Sequence, residues 1–142
     1  MTVGRLIESR EGSVTTCAVT TSVSEATAIL ADMRIGALPV MDGDSVVGIF
    51  SERDVVYRLR ELGPAALDKA VGDVMTAPAL TVSPDTEVLT ALSLMTRRRI
   101  RHLPVVDSDR MVGFVSIGDL VKYRIDKIES EAAAMRDYIQ MA

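Results

Sequence analysis

Ile35-Gly36-Ala37-Leu38-Pro39-Val40-Met41-Asp42 returns 65 residues later as Ile100-Arg101-His102-Leu103-Pro104-Val105-Val106-Asp107. The same offset pairs Val47-Gly48 with Val112-Gly113, Ser51 with Ser116 and Asp54 with Asp119. Upstream it pairs Thr16 with Thr81, Thr21 with Thr86, Val23 with Val88 and Ala26 with Ala91. More than a third of positions 14–56 are identical without a gap, and the matches fall on Pro, Gly and Asp, where chance seldom places them. Val3-Gly4-Arg5-Leu6-Ile7 also answers Val71-Gly72-Asp73-Val74-Met75 at offset 68, so a three-residue indel precedes Val14. A fixed internal period of this kind sets the architecture before any single element is assigned.

Each copy reads alike. A short strand, Leu80–Ser83 in the second, leads into a helix with apolar residues Val88, Ala91, Leu92 and Met95 at i, i+3, i+4 and i+7. Ser83 or Thr86 is placed to cap it, with Pro84 in its first turn. Leu103–Val106 and Met111–Ser116 then read as strands around an Asp107-Ser108-Asp109-Arg110 turn. In the first copy the helix carries Val23, Ala26, Leu30 and Met33, and the turn is Asp42-Gly43-Asp44-Ser45. A last helix begins at Ser51 and stops at Gly63-Pro64. The order β-α-β-β-α, twice, predicts an α/β (α+β) fold with a long C-terminal helix. A half of about 60 residues buries too little surface to be secure alone. Two halves are therefore expected to share one pseudo-two-fold module and bury their sheets against each other. The boundaries are residues 1–63 and 71–123, a linker at 64–70 and a helical extension at 124–142.

Composition narrows the chemistry. The chain has 142 residues, 16 Lys+Arg against 20 Asp+Glu, one His and one Cys. A single Cys forms no internal disulfide, and a Cys/His zinc site needs about four ligands. Nucleophilic catalysis through an imidazole would have to recruit His102. No nucleophile–base pair, metal cluster or glycine-rich phosphate loop is visible, so an enzyme is not expected. No apolar run approaches the ~20 residues that span a bilayer, and Met1 to Gly12 has no signal-peptide core. The expectation is a soluble cytoplasmic protein with no membrane contact. A net charge of −4 and 4% aromatic residues argue against nucleic acid as a partner.

Three features remain. Ser51-Glu52-Arg53-Asp54 and Ser116-Ile117-Gly118-Asp119 follow the last strand of each copy. Ser-x-x-Asp reads as a capping box, but the same turn also offers backbone amides to an anion and a carboxylate to a ribose diol. Arg97-Arg98-Arg99 suits a helix C-terminus, whereas Arg101 and His102 begin a strand where Arg can fork onto phosphate oxygens. The first copy has Gly36 and Ala37 there, through elaboration of one half for phosphate or through drift. Finally, Val121, Ile125, Ile128, Ala132, Met135 and Ile139 form a seam of spacing 4, 3, 4, 3, 4. Beyond Ile128 this stripe needs a partner, either a second copy or the domain itself. Cys17 reads as a small core residue.

With these motifs in hand, the chain resembles a tandem pair of cystathionine-β-synthase (CBS) domains, the Bateman module, and in particular small stand-alone bacterial CBS-pair proteins. The likeness runs from Val3 to Tyr123. It implies a non-catalytic regulatory homodimer, assembled as a flat disc, that binds adenosyl ligands between its repeats and acts on an unidentified partner protein. No cofactor is required; AMP leads the ligands, with ATP, ADP, NADH and S-adenosylmethionine behind. Carried over, one pocket combines Ser116 and Asp119 with Thr15, Ile35, Gly36 and Ala37. The other combines Ser51, Arg53 and Asp54 with Ala79, Ile100, Arg101 and His102. Asp119 and Asp54 would hold ribose hydroxyls, with Ser116 and Ser51 near ribose or phosphate, and Arg53, Arg101 and His102 would face phosphates. A ligand-free interaction protein is the competing expectation.

Overall fold

The computed structural model describes residues 1–10 and 12–141; Glu11, and Ala142 at the end of the predicted extension, lie outside the described residues. The architecture is α+β and repeats as expected. In the first copy β1 (Cys17–Ala18) runs parallel to β2 (Ala37–Asp42), and β2 pairs antiparallel with β3 (Ser45–Ser51). In the second, β4 (His102–Asp107) pairs with β5 (Arg110–Ser116). The registers are equivalent: Leu38 faces Phe50 as Leu103 faces Val115, and both hairpins slip once, after Val40 and after Val105. Ser108 and Asp109 both take positive φ, as a tight two-residue hairpin turn requires.

The predicted strand at Leu80–Ser83 shrinks to a single parallel bridge between Val82 and Val105. In the first copy the Val19 amide donates to the Met41 carbonyl at 3.3 Å. Its counterpart Pro84 has no N–H to give Val106, so the ladder stops one bond earlier. The cap prediction for the following helix also fails. α5 (Val88–Arg98) starts after Glu87, with no side-chain cap, and the Val88 amide donates to the Met1 carbonyl instead. In α2 (Val23–Met33) Ser22, which the sequence reading did not single out, is the cap, accepting from the Glu25 amide at 3.0 Å.

That Met1 contact belongs to an exchange between the halves. The short leader helix α1 (Val3–Glu8) docks on the second copy, with the Val3 amide on the Thr86 carbonyl and the Gly4 amide on the Pro84 carbonyl, both at 2.9 Å. Its counterpart α4 (Val71–Val74) docks on the first copy, with the Val71 amide on Thr21 and the Gly72 amide on Val19. Six residues make no stable helix alone, so packing must hold α1. Val3 and Leu6 are buried there and contribute ~1.5–3 kcal/mol each. Buried residues accordingly form two clusters, each mixing chain from both halves, rather than one core between two sheets. Val3, Leu6, Val88, Met95, Leu103 and Val115 meet in one; Cys17, Val23, Leu38, Phe50, Val71 and Val74 meet in the other.

α3 (Glu52–Leu62) ends at Gly63 with φ 67°, where a 3₁₀ turn over Gly63–Asp68 takes over. The closing helix α6 (Ile117–Met141) runs 25 residues, and Leu120 is its one fully buried side chain among the described residues. The seam residues Val121, Ile125, Ile128, Met135 and Ile139 are all exposed. Among the described residues, no helix is long and apolar enough to cross a membrane.

Candidate functional site

β3 and β5 end in the paired turns, and both close as capping boxes. The Asp54 Oδ2 accepts from the Ser51 amide at 2.9 Å and from the Ser51 hydroxyl, while the Asp54 amide donates back to Ser51 Oγ. The Asp119 Oδ2 accepts from the Ser116 amide at 2.8 Å, and the Asp119 amide donates to Ser116 Oγ at 3.1 Å. The cap fixes each carboxylate one turn into its helix, and Asp119 lines a cleft between the halves. The two carboxylates then part company. Asp54 Oδ1 takes the Thr76 hydroxyl at 3.1 Å, so both its oxygens are engaged. Asp119 Oδ1 has no partner among the described residues, and its Oδ2 also meets the guanidinium of Arg10.

The first cleft, of about 460 Å³, brings together Ser116 and Asp119 with Thr15, Ile35, Gly36 and Ala37, the whole set expected for one pocket. Arg10, Ser13, Val14, Arg34 and Phe114 line it too, and no sequence signal had pointed to Arg10 or Phe114. The second cleft, of about 270 Å³, collects Ser51, Arg53, Ile100, Arg101 and His102. Asp54 and Ala79 are not in its lining; Ile49, Glu52, Thr76 and Arg99 are. Thr76 takes that wall because its backbone forms a two-bond bridge with Ile49, each bond 2.9 Å, while its hydroxyl reaches Asp54.

Gly36 and His102 line both clefts. The imidazole stacks on the Phe114 ring, centroids 5.5 Å apart, and a Cβ on Gly36 would come within 3.4 Å of its Cε1. Burial pulls the His102 pKa below its ordinary value; Asp119 and Glu52 oppose that and Arg101 adds to it. Burial tends to raise the Asp119 pKa, but bonds from Ser116 and Arg10 together outweigh it and hold the carboxyl below its ordinary value. No cluster of three or more His, Cys, Asp or Glu side chains suited to a metal ion occurs among the described residues. Cys17 lies in the core, its thiol pushed up to about 11 by burial.

A duplicated unit with reciprocal leader helices and two clefts beside the paired helix starts defines a tandem-repeat module. The CBS domain family model matches residues 7–61 and again 71–126, and the chain belongs to that family. It is 36% identical over 138 residues to the CBS domain-containing protein CBSX3, mitochondrial, of Arabidopsis thaliana, covering 94% of this chain and 67% of that one. A protein with CBS domains from Burkholderia ambifaria superposes with a TM-score of 0.82 at 34% identity, covering 89% of this chain and 95% of that chain. CBSX2 of Arabidopsis thaliana, solved in complex with AMP, superposes at 0.75 with 29% identity, covering 88% and 96%.

Proposed function

We propose that this chain is a non-catalytic regulatory module that binds an adenosyl nucleotide, AMP first among them, in the first cleft and works as a homodimer on a partner protein. The observation that carries the reading is Asp119, a carboxylate with one oxygen uncommitted, set at the mouth of a 460 Å³ cleft opposite Thr15, Ile35 and Ala37 of the other repeat. That volume lies in the range of small-molecule sites. The AMP bound to CBSX2 supports the ligand class. A ligand that touches Ser116 and Asp119 on one half and Ile35 and Ala37 on the other ties the halves together. It shifts the module's conformation only by its differential affinity for the two states.

Isothermal titration with AMP, ADP, ATP, NADH and S-adenosylmethionine tests the proposal. AMP should bind, and Asp119→Ala should weaken it at least tenfold with an unchanged circular dichroism spectrum. An absence of heat with every ligand at millimolar concentration, together with no thermal shift, would leave an interaction module whose clefts stay empty.

A further inference from the structure

The second cleft differs from the first in chemistry, not only in size. Its Asp54 is engaged on both oxygens: one takes the Ser51 amide and hydroxyl, the other the Thr76 hydroxyl, and the carboxylate is absent from the cleft lining. A ribose diol therefore finds no capped aspartate with an uncommitted oxygen, as Asp119 offers next door, and meets only the exposed carboxylate of Glu52 among the described residues. The lining instead carries Arg53, Arg99 and Arg101, against Glu52 as its one carboxylate. None of the three arginines forms an ion pair with a described residue. Each is exposed and holds a fork of donors suited to phosphate oxygens.

Arg99 adds an independent observation. It ends α5 with φ 55°, a left-handed conformation that an L side chain adopts at a cost and that glycine adopts freely. Glycine or asparagine is the usual residue where a helix closes this way. Arg34 holds the same place after α2 with φ 54° and lines the first cleft. Two arginines at the strained stop of equivalent helices, each turned to its own cleft, point to a use for the side chain rather than to helix termination.

We propose that the second cleft is a site for an oligophosphate chain, free or as the tail of a nucleotide, and not for a nucleoside. This deepens the nucleotide reading by dividing the two clefts between two chemistries. The preference follows from charge: three guanidinium groups without an ion pair among the described residues reward two or more linked phosphates, whereas the first cleft offers one such group, Arg34, beside an Arg10 already bound to Asp119.

Titration of the full chain with sodium tripolyphosphate and with adenosine, at fixed ionic strength without magnesium, tests it. Tripolyphosphate should bind one equivalent, equally in wild type and in Asp119→Asn. Arg99→Gly should weaken it about tenfold while the Tm stays level or rises, because glycine suits that φ and misfolding cannot then explain the loss. Adenosine should fill at most one site, lost in Asp119→Asn. ATP separates the sources: weakening of ATP in Arg99→Gly marks the chain as a nucleotide tail, and indifference marks it as free. Lack of tripolyphosphate binding at millimolar concentration overturns the proposal, as does unchanged affinity in Arg99→Gly/Arg101→Gln or an adenosine equivalent that survives Asp119→Asn. Failure of adenosine and AMP alone, with tripolyphosphate still bound, overturns the nucleotide reading of the first cleft and upholds this one.

Discussion

Arg10 places one guanidinium nitrogen 2.5 Å from Asp119 Oδ2 and the other 3.1 Å from the carbonyl of Phe114. An arginine from the segment after α1 thus sits on the carboxylate that the nucleotide reading assigns to ribose. The pair is over a third exposed on each side, so its strength is that of a screened surface bridge, about 0.2–1 kcal/mol.

Arg10→Ala should therefore barely change stability, yet tighten adenosine up to about fivefold, since the diol no longer competes with the guanidinium for Oδ2. Calorimetry with adenosine, which has no phosphate for Arg10 to greet, isolates this effect. Weaker adenosine binding in the variant would show that Arg10 supports the ribose site.

Gly48 and Gly113 are equivalent in the repeat, but their surroundings differ. A Cβ at Gly48 would come within 2.8 Å of the Thr76 carbonyl, which is fixed in its bridge with Ile49. At Gly113 the obstacle is side chain rather than backbone, the Cδ1 and both γ carbons of Ile7 on the short helix α1. Gly48→Ala should cost ~2–3 kcal/mol and Gly113→Ala about 1 kcal/mol, measured by urea unfolding. Equal losses would mean that α1 is held as rigidly as the Thr76 bridge.

His102 supplies a pH dependence. Its folded pKa lies below the ordinary 6.5, chiefly through burial. Above pH 6.5 the imidazole is neutral in both states. As pH falls through 6.5 the unfolded chain takes up the proton first, so stability declines, and the decline ends below the folded pKa. Asp119, also depressed, acts only in a separate window below its ordinary 3.8, where its contribution is lost as it protonates. Urea midpoints at pH 7.5, 6.5 and 5.5 should fall in that order, with a smaller slope in His102→Gln. Phosphate bound beside the ring favours its charged form, so binding near pH 6 should take up a proton, visible as a buffer-dependent heat.

On α6 the seam side chains Ile128 and Ile139 are 47% and 64% exposed. With a second copy packed along this stripe, Ile128→Glu/Ile139→Glu should convert a dimer to a monomer in light scattering while the Tm of the module holds. A dimer unaffected by both charges would place the interface elsewhere, on α3 with its exposed Val56 and Tyr57.

Much of this was legible in residue order. Leu38-Pro39-Val40 against Leu103-Pro104-Val105 specified equivalent hairpins, because identical apolar alternation allows one register. The helices of Val23 and Val88 followed from their 3.6-residue period, and Ser51 and Ser116 were readable as caps since a cap is a bond between near neighbours. Long-range bonds left no such trace. Nothing local says that Met1 caps α5, that α1 crosses to the other half, or that Arg10 meets Asp119 across more than a hundred residues. The same holds for Asp54: its spacing from Ser51 equals that of Asp119 from Ser116, yet Thr76 bonds its second oxygen and leaves it none uncommitted. Periodicity and local spacing are properties of the chain, so they reveal the two repeats and their capped turns. Which carboxylate stays free depends on what the fold brings alongside it, and only three-dimensional packing settles that.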